Sequence, residues 1–294
     1  MIEIKNVVFT KHLPIIKHFI CFINHLLPLR LKFASETFIA LIDNIVKGEI
    51  TLEKDSKSNT RFKITKLILE EFSIAHQLTS YVASRYRAMG ANSFYAVVDE
   101  KQTDLLNIFK NELNFRECGC EYLYKINEVN SNFSMFLKTL KRENIKEVCK
   151  FYNENINSFN RFIFGRENYQ FQNSCMKFIS FKENNDILGY FEVATKNNVD
   201  FYINFTIDCA YNIYLLDAVK FIYSKIKRKN KHFNLYLKVK DYFMNSKELI
   251  TILNENHFEL ISKSQILAKD YYKEIKANNI LQNAKIIFND PTIA

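Results

Sequence analysis

The chain has 294 residues, 48% hydrophobic and 25% charged, which excludes a disordered polypeptide and suffices for two domains of ordinary size. The 41 Lys and Arg against 32 Asp and Glu leave a formal charge of +9. Such a surplus suits an anionic ligand, nucleic acid or acidic lipid, although lysines spread over a solvated surface account for it without any partner. With 5 Gly, and none after Gly189, neither a Walker loop nor a dinucleotide glycine pattern exists.

The chain opens with an alternating segment, Met1–Phe9, that predicts a strand. Thr10 offers an N-cap for a helix over Leu13–Leu27, with Pro14 in its first turn. The wider run Leu13–Leu31 contains Lys17, His18, His25 and Arg30 and is interrupted by Pro14 and Pro28, so it reads as an amphipathic helix and not as a span of ~20 apolar residues. Phe33–Lys47 predicts a second helix closed by Gly48, followed by a polar, turn-rich stretch over Glu49–Asn59. Arg61–Glu71, rich in β-branched and aromatic residues, predicts a strand. Ser73 is an N-cap for a helix over Ile74–Met89, whose Ile74, Leu78, Tyr81, Val82 and Arg85 share one stripe, and Gly90 stands where a left-handed residue ends it. Ser93–Val98 reads as a buried strand. Asp99 with Gln102 forms a capping-box variant for a helix over Lys101–Leu113, ended by Asn114, and Glu117–Ile126 is the next strand.

The polar run Asn127–Asn132 marks a boundary, giving a first domain over 1–128, a second over 133–275 and a tail over 276–294. In the second half, strands are expected at Phe133–Leu140, Met176–Lys182, Ile187–Lys196, Phe201–Ile207, Phe233–Val239 and Glu259–Lys269. The second and third of these form a hairpin around Glu183–Asp186. Helices are expected over Glu143–Asn155, Asn212–Arg228 and Lys247–Glu255, the last opened by a capping box of Asn245 and Glu248. Phe115 and Phe258 each follow a helix and precede a strand, so helix, strand, helix, Phe, strand occurs twice in one order.

This order, with the stretch Asn107–Phe115 (NIFKNELNF) and the opening strand and helix, resembles the GNAT superfamily of acyl-CoA-dependent N-acyltransferases in a tandem arrangement. The resemblance implies an α/β fold of two tandem units, each a mixed, mostly antiparallel sheet flanked by helices. It also implies acetyl-CoA or another acyl-CoA as cofactor and an amine as acceptor. In that family the cofactor pyrophosphate rests on main-chain amides at a glycine-containing turn before a helix, where unpaired N–H groups and the helix dipole favour an anion. The corresponding turns here are Glu70-Glu71-Phe72-Ser73-Ile74-Ala75-His76 and Asp208-Cys209-Ala210-Tyr211, both without glycine and both acidic. The amides of Ile74, Ala75 and His76 are the cofactor-binding residues the resemblance implies. The family's general acid is a tyrosine five residues before the aromatic that follows the fourth helix; counting back from Phe115 and Phe258 gives Lys110 and Leu253, and no catalytic residue is assigned.

Other signals are weaker. The 6 cysteines form no C-x-x-C pair and no zinc-site spacing, which suits reduced thiols, and Cys118 with Cys120 reads as a pair of packing residues. The cluster Lys225, Lys227, Arg228, Lys229 and Lys231 fits cations at a helix C-terminus better than an RNA contact. Arg85 and Arg87 could reach a phosphate or line a solvated face. The expectation is therefore an intracellular protein, in the cytoplasm or the soluble interior of an organelle such as a plastid, with no metal and no membrane partner. Two function classes remain: a GNAT-like N-acyltransferase, or a catalytically inactive GNAT-fold scaffold that binds a protein partner. An RNA-associated role rests on charge alone.

Overall fold

The computed structural model describes residues 2–7, 35–54, 60–127, 137–166, 176–181, 186–195 and 197–271. The helix expected over Leu13–Leu27, the boundary at Asn127–Asn132 beyond its first residue, and the tail lie outside them. The chain divides into two compact units that interleave: the first takes 1–96, 107–116 and 267–294, the second 97–106 and 117–266. The described fold is α/β, mixed and mostly antiparallel.

In the first unit the strand order is β1 (Ile2–Asn6), β2 (Ser35–Ile42), β3 (Ile45–Lys54), β4 (Arg61–Leu69) and β5 (Ser93–Asp99). Here the expected helix over Phe33–Lys47 gives way to a β2–β3 hairpin in which Ile42 pairs with Ile45. The dipeptide between them explains the difference. Asp43 and Asn44 both sit at positive φ (51° and 64°), as a two-residue type I′ turn requires and a helix forbids. The polar stretch expected from Glu49 is likewise strand as far as Lys54, its alternation set by one buried and one wet face. Gly48, expected as a helix stop, is a strand residue. A Cβ there would lie 3.3 Å from Leu78 Cδ2, so the hydrogen lets helix α1 (Ile74–Ala88) lie close on the sheet.

α1 buries Ile74, Leu78 and Val82, whereas Tyr81 points outward with 42% exposure. Tyr86, 2% exposed, centres an aromatic cluster, its ring 4.5 Å from Phe62, 6.2 Å from Phe38 and 6.4 Å from Phe94. Gly90 adopts φ 94° after the helix, as expected. The end of β12 (Glu259–Asp270) is tied into this unit: Asp270 pairs with Arg116 at 2.7 Å, and Lys269 Nζ donates to Leu113 O at 2.7 Å.

The helix expected over Lys101–Leu113 is two pieces. A short α2 (Thr103–Asn107) runs into a π-helical turn, Ile108–Glu112, where Leu113 N–H donates to Ile108 O. Asp99 Oδ1 accepts from Lys101 N at 2.9 Å, which closes the turn between β5 and α2; the helix begins only at Thr103, so the expected capping box at Lys101 is corrected.

The second unit contains β6 (Arg116–Ile126), from Glu117 on, with β11 (Asn234–Lys240), β10 (Asp200–Ile207), β9 (Ile187–Thr195), β8 (Met176–Phe181) and β7 (Lys138–Thr139) in that order. The β8–β9 hairpin forms as the sequence predicts. On one face lie α5 (Leu215–Lys227), preceded by a 3-10 segment Cys209–Tyr214 that shortens the helix expected from Asn212, and α6 (Ser246–Glu255). Ile203, Leu237, Leu215, Ile222 and Leu253, all with 0% exposure, form the core beneath them. α3 (Ile145–Glu154) matches its expected span, and α4 (Ser158–Phe164) lies in a stretch where no element is expected from the residues alone.

The N-caps proposed at Ser73 and Asn245 are corrected. Ser73 has helical dihedrals and no capping bond, because the main chain of the preceding turn already supplies acceptors. Asn245 does not form a capping box. Its Nδ2 donates to Ile207 O at 2.9 Å and to Asn212 Oδ1 at 2.6 Å, while Glu248 accepts from Asn212 Nδ2 at 2.7 Å. Burial of Asn245 and Asn212 makes these long-range bonds the better use of their polar atoms.

Candidate functional site

Each unit carries a parallel strand pair that leads into a helix. In the first, β4 and β5 pair at Arg61–Ile64 with Ser93–Ala96, and β4 runs on to Leu69 before the turn into α1. In the second, β10 and β11 pair at Asp200–Asn204 with Asn234–Lys238, after which both strands continue, to Ile207 and Lys240.

The first turn is Glu70–Ser73. Ile74 N–H donates to Glu71 O at 3.2 Å and Ala75 N–H to Phe72 O at 3.0 Å, so both amides bond within the turn. Ile74 and Ala75 are buried and His76 is exposed. The carboxylates beside the turn are balanced by Lys47 of β3, whose Nζ lies 2.9 Å from Glu70 and 4.0 Å from Glu71. The hydrogen bond from Lys47 to Glu70, then its charge, raises the lysine pKa. Phe72 is 61% exposed. Arg85 and Arg87 of α1 lie over rings, 5.8 Å from the centroid of Phe38 and 4.9 Å from that of Tyr271.

The second turn is capped from within. Asp208 Oδ1 accepts from Ala210 N at 2.9 Å and Asp208 O from Tyr211 N at 2.9 Å, so a side-chain carboxylate occupies an amide that an anion would use. Tyr211 packs against the core of the unit.

The residues before the two aromatics also differ. Phe258 N–H donates to Leu253 O, five residues back, whereas Phe115 N–H donates to Phe109 O, six back. The π turn inserts a residue, so the position matching Leu253 is Phe109, not the Lys110 found by counting. Phe109 is buried with its ring 5.0 Å from Phe115. Neither Phe109 nor Leu253 can give or take a proton. Asn114 (φ 54°) and His257 (φ 57°) hold the left-handed position before each aromatic.

The sequence did not point to the polar recess of the second unit. Tyr152, Arg166, Tyr190, Glu192, Asn204, Phe205, Lys240 and Phe243 line it, beside the point where the β10–β11 register ends. The room inside is about 10 Å³, that of a single water. Arg166 Nη1 lies 2.8 Å from Glu192 Oε2, and Lys177 Nζ, on a side chain only 5% exposed, lies 3.9 Å from Oε1. Arg166 is fixed by Asn153, which accepts from its N–H at 2.8 Å and donates to its carbonyl at 2.9 Å, and its guanidinium lies 4.8 Å from the Tyr152 ring centroid. Burial alone would raise the Glu192 pKa; Arg166, then Lys177 and Lys240, outweigh it and hold the carboxyl below its ordinary value. One signal was available: Glu192 interrupts the apolar run of β9 (ILGYFEVAT). Its partners Arg166, Lys177 and Lys240 lie on three other segments, which no local motif connects.

Cys118 and Cys120 are buried. Burial, then the Asp241 charge, pushes the Cys120 thiol up to about 11, so it is no thiolate nucleophile at neutral pH. Asp241 Oδ1 accepts from Cys120 N at 2.6 Å. A Cβ at Gly119 (φ 134°) would meet that oxygen at 2.2 Å, so glycine is required there by both space and conformation. Lys225 and Lys227 lie over Phe221 and Tyr223 of their own helix, at 5.1 and 5.5 Å. Among the described residues no group of three or more His, Cys, Asp or Glu is placed to hold a metal, and no helix is long and apolar enough to cross a membrane.

No family model matches the sequence, and no curated protein matches it. Solved structures do. A tandem GNAT protein from the clavulanic acid biosynthesis pathway, at 8% identity, aligns over 92% of this chain and 98% of its own with a TM-score of 0.55. A GCN5-related N-acetyltransferase from Sphaerobacter thermophilus, at 9% identity, aligns over 80% of each chain with a TM-score of 0.56. At such identities the likeness speaks to the fold alone: the chain has the GNAT fold, in the tandem arrangement.

Proposed function

We propose that the protein is an N-acyltransferase that takes acetyl-CoA or another acyl-CoA in its first unit and passes the acyl group to an amine, while the second unit does not bind the acyl donor. The observation that carries this reading is the contrast between the two helix starts. In the first unit the amides of Ile74 and Ala75 donate only to carbonyls of their own turn, and Lys47 balances both nearby carboxylates. A pyrophosphate at Ile74, Ala75 and His76 would exchange those main-chain acceptors for charged oxygens, a gain because hydrogen bonds to charged groups are about twice as strong as neutral ones. In the second unit the Asp208 carboxylate already sits on the Ala210 amide and would repel a phosphate.

The chain's own residues would orient the donor. With phenylalanine and leucine at the positions of the family's tyrosine, the amine proton would leave through water. The acyl group and the acceptor are not specified by these residues.

Calorimetric titration of the full chain with acetyl-CoA and free CoA tests the reading. Micromolar affinity, about −8 kcal/mol, is expected. His76→Pro removes one exposed first-turn amide, where proline is tolerated, and is expected to weaken binding about tenfold with the fold retained by circular dichroism. Absence of binding at millimolar ligand would sink the acyltransferase reading and leave the second one, a GNAT-fold scaffold for a protein partner, which the self-capped turn of the second unit favours.

A further inference from the structure

We propose that one end of the second unit, from the last turn of α5 to the start of β11, binds the phosphate backbone of a single-stranded nucleic acid without reading its bases. The surface belongs to the second unit and does not depend on acyl transfer. Between Asp217 and Asp241 the chain carries 8 Lys and Arg and no acid. Lys225, Lys227, Arg228, Lys229 and Lys231 crowd into one short stretch, all exposed, with the exposed His232 beside them. α5 runs back from the turn at Asp208, so this cluster stands at the opposite end of the unit. There Asn234 N–H donates to Val199 O at 2.9 Å and Asn230 Nδ2 donates to Asn198 O.

A helix C-terminus accounts for only part of the cluster. Lys225 and Lys227 belong to α5 and lie over its Phe221 and Tyr223 rings. Arg228, Lys229 and Lys231 follow the helix, and main-chain donors already take its last carbonyls. Ser224 O accepts from Arg228 N at 3.2 Å, and Ile226 O accepts from the amides of Lys229 and Asn230 at 2.9 Å. Among the described residues the side chains of Arg228, Lys229 and Lys231 make no ion pair or hydrogen bond; the pairs Lys220–Asp217 and Lys238–Glu121 lie before and after them. Asp200, at the start of β10, is held by the amides of Asn197 and Asn234 at 2.7 and 2.8 Å. Crowded like charges repel, and an outside polyanion would offset that cost.

The neighbours of the cations select the partner. Among the described residues no large apolar or aromatic side chain is exposed between Leu215 and Phe243. That leaves no anchor for a bilayer and no ring to stack on a base. Charge alone remains, on a helix end and a short loop that a flexible strand can follow.

Fluorescence anisotropy of the full chain with a labelled RNA strand of ~20 nucleotides tests the proposal. A Kd on the order of 10 μM at ~50 mM salt is expected, with a salt slope of about −2 from the three unpaired cations. Arg228→Gln/Lys229→Gln/Lys231→Gln should weaken binding about tenfold and flatten that slope, with circular dichroism unchanged. Lys141→Gln/Lys146→Gln/Lys150→Gln removes the same charge from other exposed positions and should change Kd less than about twofold. Oligo-U and oligo-A should bind alike. No binding at ~200 μM protein, equal weakening by the two triple variants, a strong preference between the homopolymers, or tighter binding to phosphatidylserine vesicles than to RNA would each overturn the proposal. Because no acyl-CoA is used, its failure leaves the acyl-donor reading untouched.

Discussion

The two units solve one problem differently. Each brings a parallel strand into a helix whose first amides lack intrahelical acceptors. The first unit satisfies Ile74 and Ala75 with main-chain carbonyls and keeps its charges outside, with Lys47 against the half-exposed Glu70 and Glu71. The second satisfies Ala210 with a carboxylate and places a second set of charges, Arg166, Glu192 and Lys177, in its interior. The difference teaches that an anion site without glycine can be kept available or filled by the chain itself, and that neighbouring acids decide which. Glu70 and Glu71 are drawn to a lysine; Asp208 has an amide within its own turn.

Removing charge from each unit should break this comparison most visibly. Glu192→Gln takes the carboxylate from the half-buried Arg166 and the buried Lys177, and a loss of about 3 kcal/mol in chemical denaturation is expected. Lys47→Met, at the surface of the first unit, should leave the denaturation midpoint nearly unchanged. Equal effects would mean that the two ion pairs do not differ in burial as described. The acid titration of the wild type carries the same information. The Glu192 pKa is depressed on folding, so its contribution is present above the ordinary glutamate value of 4.5 and is lost as pH falls through the lower folded value. Glu192→Gln should flatten that part of the stability profile.

Asp208→Ala sharpens the contrast at the helix starts. Loss of the cap is expected to lower stability by about 1 kcal/mol. It should also allow weak CoA binding in the second unit, seen as a second calorimetric event. No change in stoichiometry would mean that something other than the carboxylate closes that turn.

The smallest effect expected is at the left-handed positions. His257→Gly should stabilise by about 0.5–1 kcal/mol, since a histidine with φ 57° carries a cost that glycine lacks. Asn114→Gly should gain less, because asparagine tolerates the left-handed region. A larger gain at Asn114 would show that the π turn, not side-chain type, sets the strain there.

Much of the fold was legible because its signals are local. The run Ser93–Val98, the helix over Ile74–Met89 with Gly90 behind it, and the repeated aromatics Phe115 and Phe258 lead to elements that form at those places. The β2–β3 hairpin was misread because Phe38, Leu41, Ile42 and Ile45 also fit a helical period; the turn chemistry of Asp43-Asn44 was the stronger signal. Asn245 and Glu248 had capping-box spacing, yet Asn212, distant in sequence, competes for both side chains. Lys110 was found by counting residues, and the π turn shifts the register to Phe109.

The sequence by itself determined the alternation of strands and helices, the absence of a glycine cradle and the twofold order, because each depends on neighbours within a few residues. Only the tertiary structure decided the rest. It showed which acids are neutralised, that Asp208 occupies an amide of its own turn, and that Arg166, Glu192 and Lys240 converge on one recess. The physical reason is that electrostatic balance and burial are properties of groups brought together from distant segments, and no local pattern records who the partners will be.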